Sequence, residues 1–190
     1  MADPETFDPG GRFREQETVE LLTSGRYPVR NVAQNLADLR AMIAANEKGV
    51  QELARMVRHF GLDVVHAYMR HVQDNAEESV RRVITALQDG HYTLPLDNGA
   101  RIAVSISLDA QQRTAVVDFS GTSHQQTNNF NAPRAVCMAA VLYVFRTLVE
   151  DDIPLNAGCL KPIEVRIPPG SMLDPQPPAS VVAGNVETST

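Results

Sequence analysis

The residues best suited to chemistry lie in the last third of the chain, in three strings of small, polar and conformationally special residues. The strings are DFSGTSHQQTNNFNAPRAV, IPLNAGCLKPIEV and NVETST. Runs of Asn, Ser, Thr and Gly bury little apolar surface, so they are poor core material and are typical of loops that handle a polar small molecule. We therefore expect a substrate-handling surface in this part of the chain.

Two carboxylates in these strings are candidates for acid–base chemistry. Asp118 ends a predicted strand just before Ser120 and Gly121, so it is suited to act as a general base or to hold a substrate amide. The alternative is that its side chain caps the following turn. Glu187 lies among hydroxyl residues and is suited to accept a proton or anchor a substrate amine, although Ser/Thr/Glu runs also begin helices. Asp118 and Glu187 are the predicted catalytic residues.

Amide, hydroxyl and thiol groups of the same strings are candidates for substrate binding. Amide side chains suit a lactam or imide ring, because such a ring presents alternating C=O and N–H groups, and their alternative role is in loops and caps. Cys159 has no neighbour in the sequence that would lower the pKa of its thiol, and its alternative role is that of a small buried residue. The predicted substrate-binding residues are Ser120, Asn131, Asn156, Cys159, Asn185 and Thr188.

The sequence predicts no cofactor site within this chain. His66 and His71 are five positions apart, which does not place them on one helical face, and His124 is the only histidine near the polar strings. Neither a GxxxxGK(S/T) nor a GxGxxG motif occurs. We expect no metal site here, and we expect any ATP to bind elsewhere.

The elements that must position these residues fall into three predicted regions, which together give an α+β fold. Residues 1–30 contain several Pro and Gly and are predicted to be an irregular lead-in. His91, which follows the second helix, is expected in a turn. Residues 31–90 are predicted to form a long antiparallel helical hairpin, and residues 91–190 an α/β segment that carries the polar loops and is incomplete at its C-terminal end.

The helical hairpin is predicted from capping signals and apolar periodicity. The first helix runs from a cap at Asn31 to a stop at Gly61, and the second from Asp63 to before Gly90. Along the first helix, apolar residues recur in alternating steps of three and four, and Asn46 is the only polar residue in this series. The apolar members are Leu36, Leu39, Ile43, Val50, Leu53, Val57 and Phe60. On the second helix, the residues predicted to lie along one apolar side are Val65, Tyr68, Val72, Ala76, Val83 and Leu87. Its opposite face is either solvated, with a few ion pairs, or a docking surface for another subunit, and carries Arg70, Glu77, Glu78, Arg81 and Arg82.

In the last region the apolar period drops to two. A β-hairpin is predicted over 102–108 and 114–119, and one more strand over 163–167. A third helix follows Pro133, with Asn131 or Ala132 at its cap. Its predicted buried residues are Val136, Ala140, Tyr143, Val144 and Leu148.

Composition narrows the class of protein. The chain has 190 residues, 43% of them hydrophobic, and a net charge of -6 at pH 7, so we expect a globular chain and neither nucleic acid nor an anionic membrane as partner. No apolar run approaches the roughly 18 residues that span a bilayer. The two cysteines, Cys137 and Cys159, form no disulfide framework, which favours a reducing compartment. We expect a cytoplasmic location.

Short strings of this sequence resemble the hydantoinase B/5-oxoprolinase family. They are DFSG at 118–121, NAP at 131–133, IPLNAGC at 153–159 and NVETS at 185–189. Upstream, LADLRAMIAANEKG at 36–49 is similar to the family segment GDLRAQIAAN, with Ala37 and Met42 as departures. The similarity covers an inner portion of the family's usual length.

The resemblance implies part of an ATP-dependent cyclic-amide hydrolase of the 5-oxoprolinase or N-methylhydantoinase type. ATP and Mg²⁺ would bind to a hydantoinase A-type partner subunit or domain, and a small cyclic amide would be the substrate of an oligomeric complex. The family's metal-associated strings lie upstream of the matching stretch, so a divalent metal is expected there and the isolated chain is expected to be inactive. The alternatives are a related ATP-dependent ketone carboxylase subunit and a non-catalytic assembly module.

Overall fold

A computed structural model describes residues 11–189, apart from the side chains of Glu187 and Ser189. The chain divides into two compact units, Met1–Val65 and His66–Thr190. The helices are α1 (Glu15–Ser24), α2 (Val32–Phe60), α3 (Leu62–Ala86), α4 (Arg134–Thr147) and α5 (Ala183–Ser189). The strands are β1 (Gly90–Pro95), β2 (Arg101–Asp109), β3 (Thr114–Asp118) and β4 (Ile163–Arg166). The predicted α+β class is confirmed. In the described part of the chain, no helix combines the length and the apolar character that a membrane crossing requires.

The first unit contains a helix that the sequence did not reveal. The lead-in was expected to be irregular, and this prediction was wrong for α1. Glu15 and Glu17 in its first turn stabilise the helix dipole, and Glu15 accepts a 2.6 Å hydrogen bond from Arg40 of α2. The Pro and Gly content of the lead-in did not reveal α1, because one of the contacts that hold this helix is an ion pair with a residue 25 positions away.

The bounds of α2 agree with the predicted capping signals. The side chain of Asn31 accepts the N–H of Gln34 at 3.1 Å. Gly61 ends the helix with φ +86°, a conformation that favours glycine, and donates its N–H to the Val57 carbonyl at 2.9 Å. The next helix, α3, starts within one residue of its predicted position and ends at Ala86, before Gly90 as predicted. The packing of α2 and α3 as an antiparallel hairpin stays a prediction.

The sheet of the second unit has the order β1-β2-β3-β4. β2 and β3 pair antiparallel, as predicted, and β4 pairs parallel to β3. β1 was not predicted; it pairs antiparallel with β2 and contains His91, which was expected in a turn. Alternation along β3 buries Ala115 and Val117 on one face and directs Val116 and Asp118 to the other.

The hydrophobic core of the second unit joins α3, α4 and one face of the sheet. Its residues include Ala76, Val80 and Ile84 of α3, Cys137, Val141 and Phe145 of α4, and Met172 and Leu173. The predicted face of α4 was wrong, because Tyr143, Val144 and Leu148 are exposed, and its N-cap position is held by Pro133 rather than Asn131 or Ala132. On α3, Tyr68 and Val72 are exposed as well.

The charged face of α3 is tied to the rest of the second unit. Glu77 and Arg81 form the expected helix pair at 2.7 Å, and Arg81 also donates to the carbonyls of Gln112 and Arg113 at 3.0 and 3.1 Å. Glu78 accepts two hydrogen bonds from Arg113 at 2.8 and 3.1 Å. These charges therefore hold α3 against the turn between β2 and β3.

Candidate functional site

Asp118 lies at the end of β3, on the face of the sheet opposite the core. Its Oδ1 accepts the backbone N–H of Ser120 at 2.7 Å, which is the capping geometry that sequence reasoning gave as the alternative role. Hydrogen bonding from the Ser120 side chain and backbone lowers the pKa of Asp118, and the nearby Arg166 guanidinium lowers it further. The carboxylate is therefore ionised at neutral pH and is a weak base there, better suited to orient a donor than to abstract a proton.

Strand register extends this position into a polar row. Cα pairing places His91 beside Ser105, Ser105 beside Asp118, and Asp118 beside Arg166. All four residues therefore share the face of the sheet that is directed away from the core. Arg166 also donates to Glu164 at 2.8 Å. The row brings an imidazole, a hydroxyl, a carboxylate and a guanidinium onto one surface.

Asn131 organises the longest polar string from the inside. It is 0% exposed, and its side-chain oxygen accepts the N–H of Gln126 at 2.7 Å. Its side-chain nitrogen donates to the carbonyls of Gln126, Asn128 and Ser180 at 3.1, 3.0 and 2.7 Å. Because these bonds use the whole amide, Asn131 holds the loop 126–131 and the segment around Ser180 in place and offers no free group to a ligand.

Helix α5 packs directly against Asn131. A Cβ atom at Gly184 would lie 2.4 to 2.6 Å from backbone atoms of Asn131, so only glycine permits this approach. Gly184 also donates its N–H to Asn129 at 3.2 Å, and the Thr188 hydroxyl donates back to the Gly184 carbonyl at 2.7 Å. The structure thus joins the NNFNAP and NVETST strings, which are more than 50 positions apart.

Asn185, the residue after Gly184, has a side-chain oxygen that accepts no hydrogen bond among the described residues. This Oδ1 atom is buried. A buried oxygen without a partner is costly, by about 1–3 kcal/mol, and is therefore uncommon. Such an atom is a natural acceptor for a donor that arrives with a ligand. Glu187 belongs to the same helix, but its side chain lies outside what the structure describes.

The IPLNAGC string packs against α3. Asn156 accepts the N–H of Gly158 at 2.8 Å and caps the 3₁₀ turn Ala157–Leu160. Cys159 is 0% exposed, in agreement with the small buried thiol that was the alternative to substrate binding. The second cysteine, Cys137, is equally buried, and burial raises the pKa of its thiol to about 12. In this structure both thiols lie in the core.

The predicted site residues fall into three groups. Asp118 and Ser120 form one, Asn131 with α5 the second, and Asn156 with Cys159 the third. No hydrogen bond within residues 11–189 joins a predicted side chain of one group to another group. A cavity of about 440 Å³ lies elsewhere and is lined by none of them; its walls are Ser79, Arg82, Val83, Ala86, Leu87, Leu148, Val149, Glu150 and Asp151.

Sequence reasoning missed the partners of Asp118 and the role of Gly184. The face on which Arg166 lies could have been predicted from the sequence, because the alternation of Ile163, Val165 and Ile167 directs position 166 to the opposite face. The position of His91 could not have been predicted, since β1 carried no recognised strand signal. Across the part of the chain that the structure describes, no three His, Cys, Asp or Glu residues come together as a metal site would require.

Comparison with known proteins gives one consistent result. The family model for Hydantoinase B/oxoprolinase matches residues 6–190. A 5-oxoprolinase of Dictyostelium discoideum is 39% identical over 94% of this chain, and 5-oxoprolinase 1 of Arabidopsis thaliana is 41% identical over 94%. This chain spans only 14% and 16% of the lengths of those two proteins.

A solved structure shares the fold. The ATP-dependent caprolactamase from Pseudomonas jessenii matches with a TM-score of 0.71 at 23% identity, over 92% of this chain and 31% of the caprolactamase chain. At this identity the likeness concerns the fold. The mixed arrangement of helices and strands described above is therefore one that an experimentally solved chain also adopts.

Proposed function

Because this chain belongs to the hydantoinase B/oxoprolinase family, we propose that it is a segment of a subunit that hydrolyses a C–N bond of a cyclic amide in an ATP-dependent reaction. The names of its relatives support this proposal, since two are 5-oxoprolinases and the structural neighbour is an ATP-dependent caprolactamase. ATP and Mg²⁺ would be held by a hydantoinase A-type partner subunit or domain. The whole enzyme, rather than this segment alone, would then be the active species.

The observation that carries the proposal is the unpartnered Oδ1 of Asn185. A ring amide such as 5-oxoproline or hydantoin has an N–H donor beside its carbonyl group, and a buried side-chain oxygen is the complementary acceptor. In this proposal Asn185 accepts the ring N–H, and Asn131 positions Asn185 through the contact between its backbone and Gly184. In this proposal two further residues of the same helix also act on the substrate. Thr188 binds it, and Glu187 serves as acid or base.

The other predicted residues have supporting roles in this proposal. Asp118 and Ser120 form a fixed, ionised turn that orients a polar group of the substrate or of the partner subunit. Asn156 and Cys159 hold the 3₁₀ turn against α3 and act on the site only through packing.

The need for ATP follows from the chemistry of the bond. An unactivated amide is a poor electrophile, and transfer of the γ-phosphoryl group of ATP to its carbonyl oxygen makes the carbon attackable by water. ADP leaves in that first transfer. Water then adds to the carbon, and the C–N bond breaks as the nitrogen takes up a proton, which leaves an acyl phosphate. A second water hydrolyses the acyl phosphate to the carboxylate and inorganic phosphate. A site for this reaction needs an acceptor that fixes the ring and shelter from bulk water.

The test is substitution of Asn185 in the full-length enzyme assembled with its ATP-binding partner. Asn185→Ala removes the acceptor and should weaken binding of 5-oxoproline or hydantoin about tenfold, the effect of roughly one neutral hydrogen bond. Asn185→Asp retains an acceptor and should lose less affinity. Asn75→Ala, at an exposed position of α3, is the matched control and should leave affinity unchanged.

Calorimetry and steady-state kinetics measure the outcome. Unchanged substrate affinity and turnover in Asn185→Ala would exclude the assigned role. Partner binding without any heat from the cyclic amide, in the unsubstituted complex, would contradict the hydrolase proposal itself and support an assembly module.

A further inference from the structure

Val182, the residue before α5, has a backbone conformation that side chains of its type rarely adopt. Its φ is +120°. Positive φ is uncommon for any residue with a Cβ atom, and for a β-branched residue it is a genuine outlier. Among the residues that the structure describes, the only other non-glycine with positive φ is Arg113, at +55°, an ordinary left-handed value. Val182 is therefore a strained position of the second unit.

Packing does not offset this strain, because the Val182 side chain is 67% exposed and lies outside the hydrophobic core of the second unit. Hydrogen bonds on both sides of Val182 hold it instead. The Ser180 carbonyl accepts a hydrogen bond from the Asn131 side chain at 2.7 Å. The Gly184 N–H donates to the Asn129 carbonyl at 3.2 Å. Two anchors four positions apart therefore determine the path of the chain through Val182.

Val182 is bonded directly to the backbone of Asn185. The Val182 carbonyl accepts the Asn185 N–H at 3.2 Å, at the start of α5. Because φ and ψ are the only soft torsions of the backbone, a change of φ at Val182 would redirect this carbonyl and, with it, Asn185. Strain that persists without a packing gain is found mainly where it holds a functional group in place. The group that this strain reaches is the buried Asn185 Oδ1, which has no partner among the described residues.

We infer that Val182 is a positioning residue for substrate binding, whose strained backbone sets the direction of the Asn185 side-chain oxygen before the cyclic amide arrives. This inference rests on the proposed function, in which Asn185 accepts the ring N–H. Glycine at position 182 would reach the same φ without strain but would also reach many neighbouring values. The oxygen would then sample several directions, and the ring would have to order it on binding, at a cost in affinity.

Thermal denaturation of the full chain, followed by far-UV circular dichroism, tests the strain. Val182→Gly should raise the melting temperature by about 2–6 °C, because the relief of strain exceeds the added freedom of glycine in the unfolded chain. Ala110→Gly, at an exposed turn position without positive φ, is the matched control and should lower the melting temperature by about 1–4 °C. A decrease in Val182→Gly as large as that in Ala110→Gly would overturn the inference.

Substrate affinity of the full-length enzyme, assembled with its ATP-binding partner, tests the positioning. Calorimetry with 5-oxoproline or hydantoin should show that Val182→Gly binds the ring about threefold to tenfold more weakly, although the same substitution stabilises the fold. Val182→Ile keeps the branched side chain and should bind the ring at least about threefold more tightly than Val182→Gly does. A merely structural role for Val182 would change the melting temperature and leave the affinity unchanged.

A double-mutant cycle identifies the group through which Val182 acts. In the Asn185→Ala background, Val182→Gly should have no further effect on affinity, because the oxygen that Val182 positions is gone. Equal weakening by Val182→Gly in both backgrounds, or no weakening in either while Asn185→Ala itself weakens binding, would overturn the inference and leave the proposed function standing. Unchanged affinity in Asn185→Ala would remove the role proposed for Asn185 and the inference with it.

Discussion

Replacement of Gly158 by alanine tests the close approach between the IPLNAGC string and α3. A Cβ atom at position 158 would lie 2.1 Å from the Gln73 carbonyl oxygen and 2.8 Å from its carbonyl carbon. Both atoms belong to the backbone of α3, which Ala76 and Val80 anchor in the core, so neither can rotate away. Since non-bonded heavy atoms are most stable about 3.5 Å apart, the Cβ and the Gln73 carbonyl oxygen must separate by roughly 1.4 Å.

The cost of that separation follows from the packing on both sides. Added methyl groups in well-packed cores cost about 1–3 kcal/mol. Because the obstructing atoms are helix backbone and the next residue, Cys159, is 0% exposed, we expect the upper end, about 3 kcal/mol. For a chain of 190 residues, each kcal/mol lowers the melting temperature by about 2–4 °C, so the expected decrease is about 6–12 °C.

Thermal and urea denaturation followed by far-UV circular dichroism measures this loss. Gly90→Ala is the matched control, because Gly90 belongs to the same compact unit and a Cβ there meets nothing within 4 Å. Its free energy of unfolding should stay within about 1 kcal/mol of the unsubstituted chain. If Gly158→Ala lost no more stability than Gly90→Ala, the inferred contact with Gln73 would be refuted.

Three further substitutions test the hydrogen bonds and charges of the second unit. Asn131→Ala should lower the free energy of unfolding by about 3 kcal/mol or more, measured with urea, because it leaves one N–H and three carbonyl groups without their partner. The stability advantage of the unsubstituted chain over Asp118→Asn should be constant above about pH 5 and should shrink as the pH falls below about 4. The sign follows because the pKa of Asp118 is lowered on folding, so its contribution is lost as the carboxylate is protonated; denaturation across this pH range is the measurement, and a constant difference would contradict it. Arg81→Ala should cost about 1–2 kcal/mol in chemical denaturation through its lost bonds to Gln112 and Arg113, whereas Arg70→Ala, at an exposed position, should change stability by less than about 0.5 kcal/mol.

The elements that the sequence predicted correctly are those with strong local signals. Asn31 and Gly61 mark the ends of α2 because a capping side chain and a positive φ act within one turn of the helix. The pairing of β2 with β3 follows from alternation on both sides of a short turn. In each case the interactions that define the element lie within a few residues of one another.

The errors occur where tertiary packing decides. α4 is apolar on nearly every side, so periodicity could not choose between the stripe of Cys137, Val141 and Phe145 and the neighbouring stripe that was predicted. β1 is exposed at most of its positions and is a strand mainly through its pairing with β2. Neither feature has a signal within its own segment.

The candidate site was predicted by residue type better than by role. The amide-rich strings do meet at Asn131 and α5, but Asn131 is a fully bonded buried residue, which no sequence pattern distinguishes from a loop amide. The unused acceptor of Asn185 depends on atoms brought together from distant segments. The meeting of all three strings at one site stays a prediction.

The parallel pairing of β3 with β4 has a consequence for synthesis of the chain. Asp118 pairs with Arg166, 48 positions later, whereas β1, β2 and β3 follow one another closely. During translation at about 5–20 residues per second, the three-stranded meander would wait about 2–10 s for its fourth strand. Throughout that interval β3, the strand with the most buried residues, has an unpaired edge, so nascent chains are most exposed to edge-to-edge aggregation just before residue 166 emerges from the ribosome.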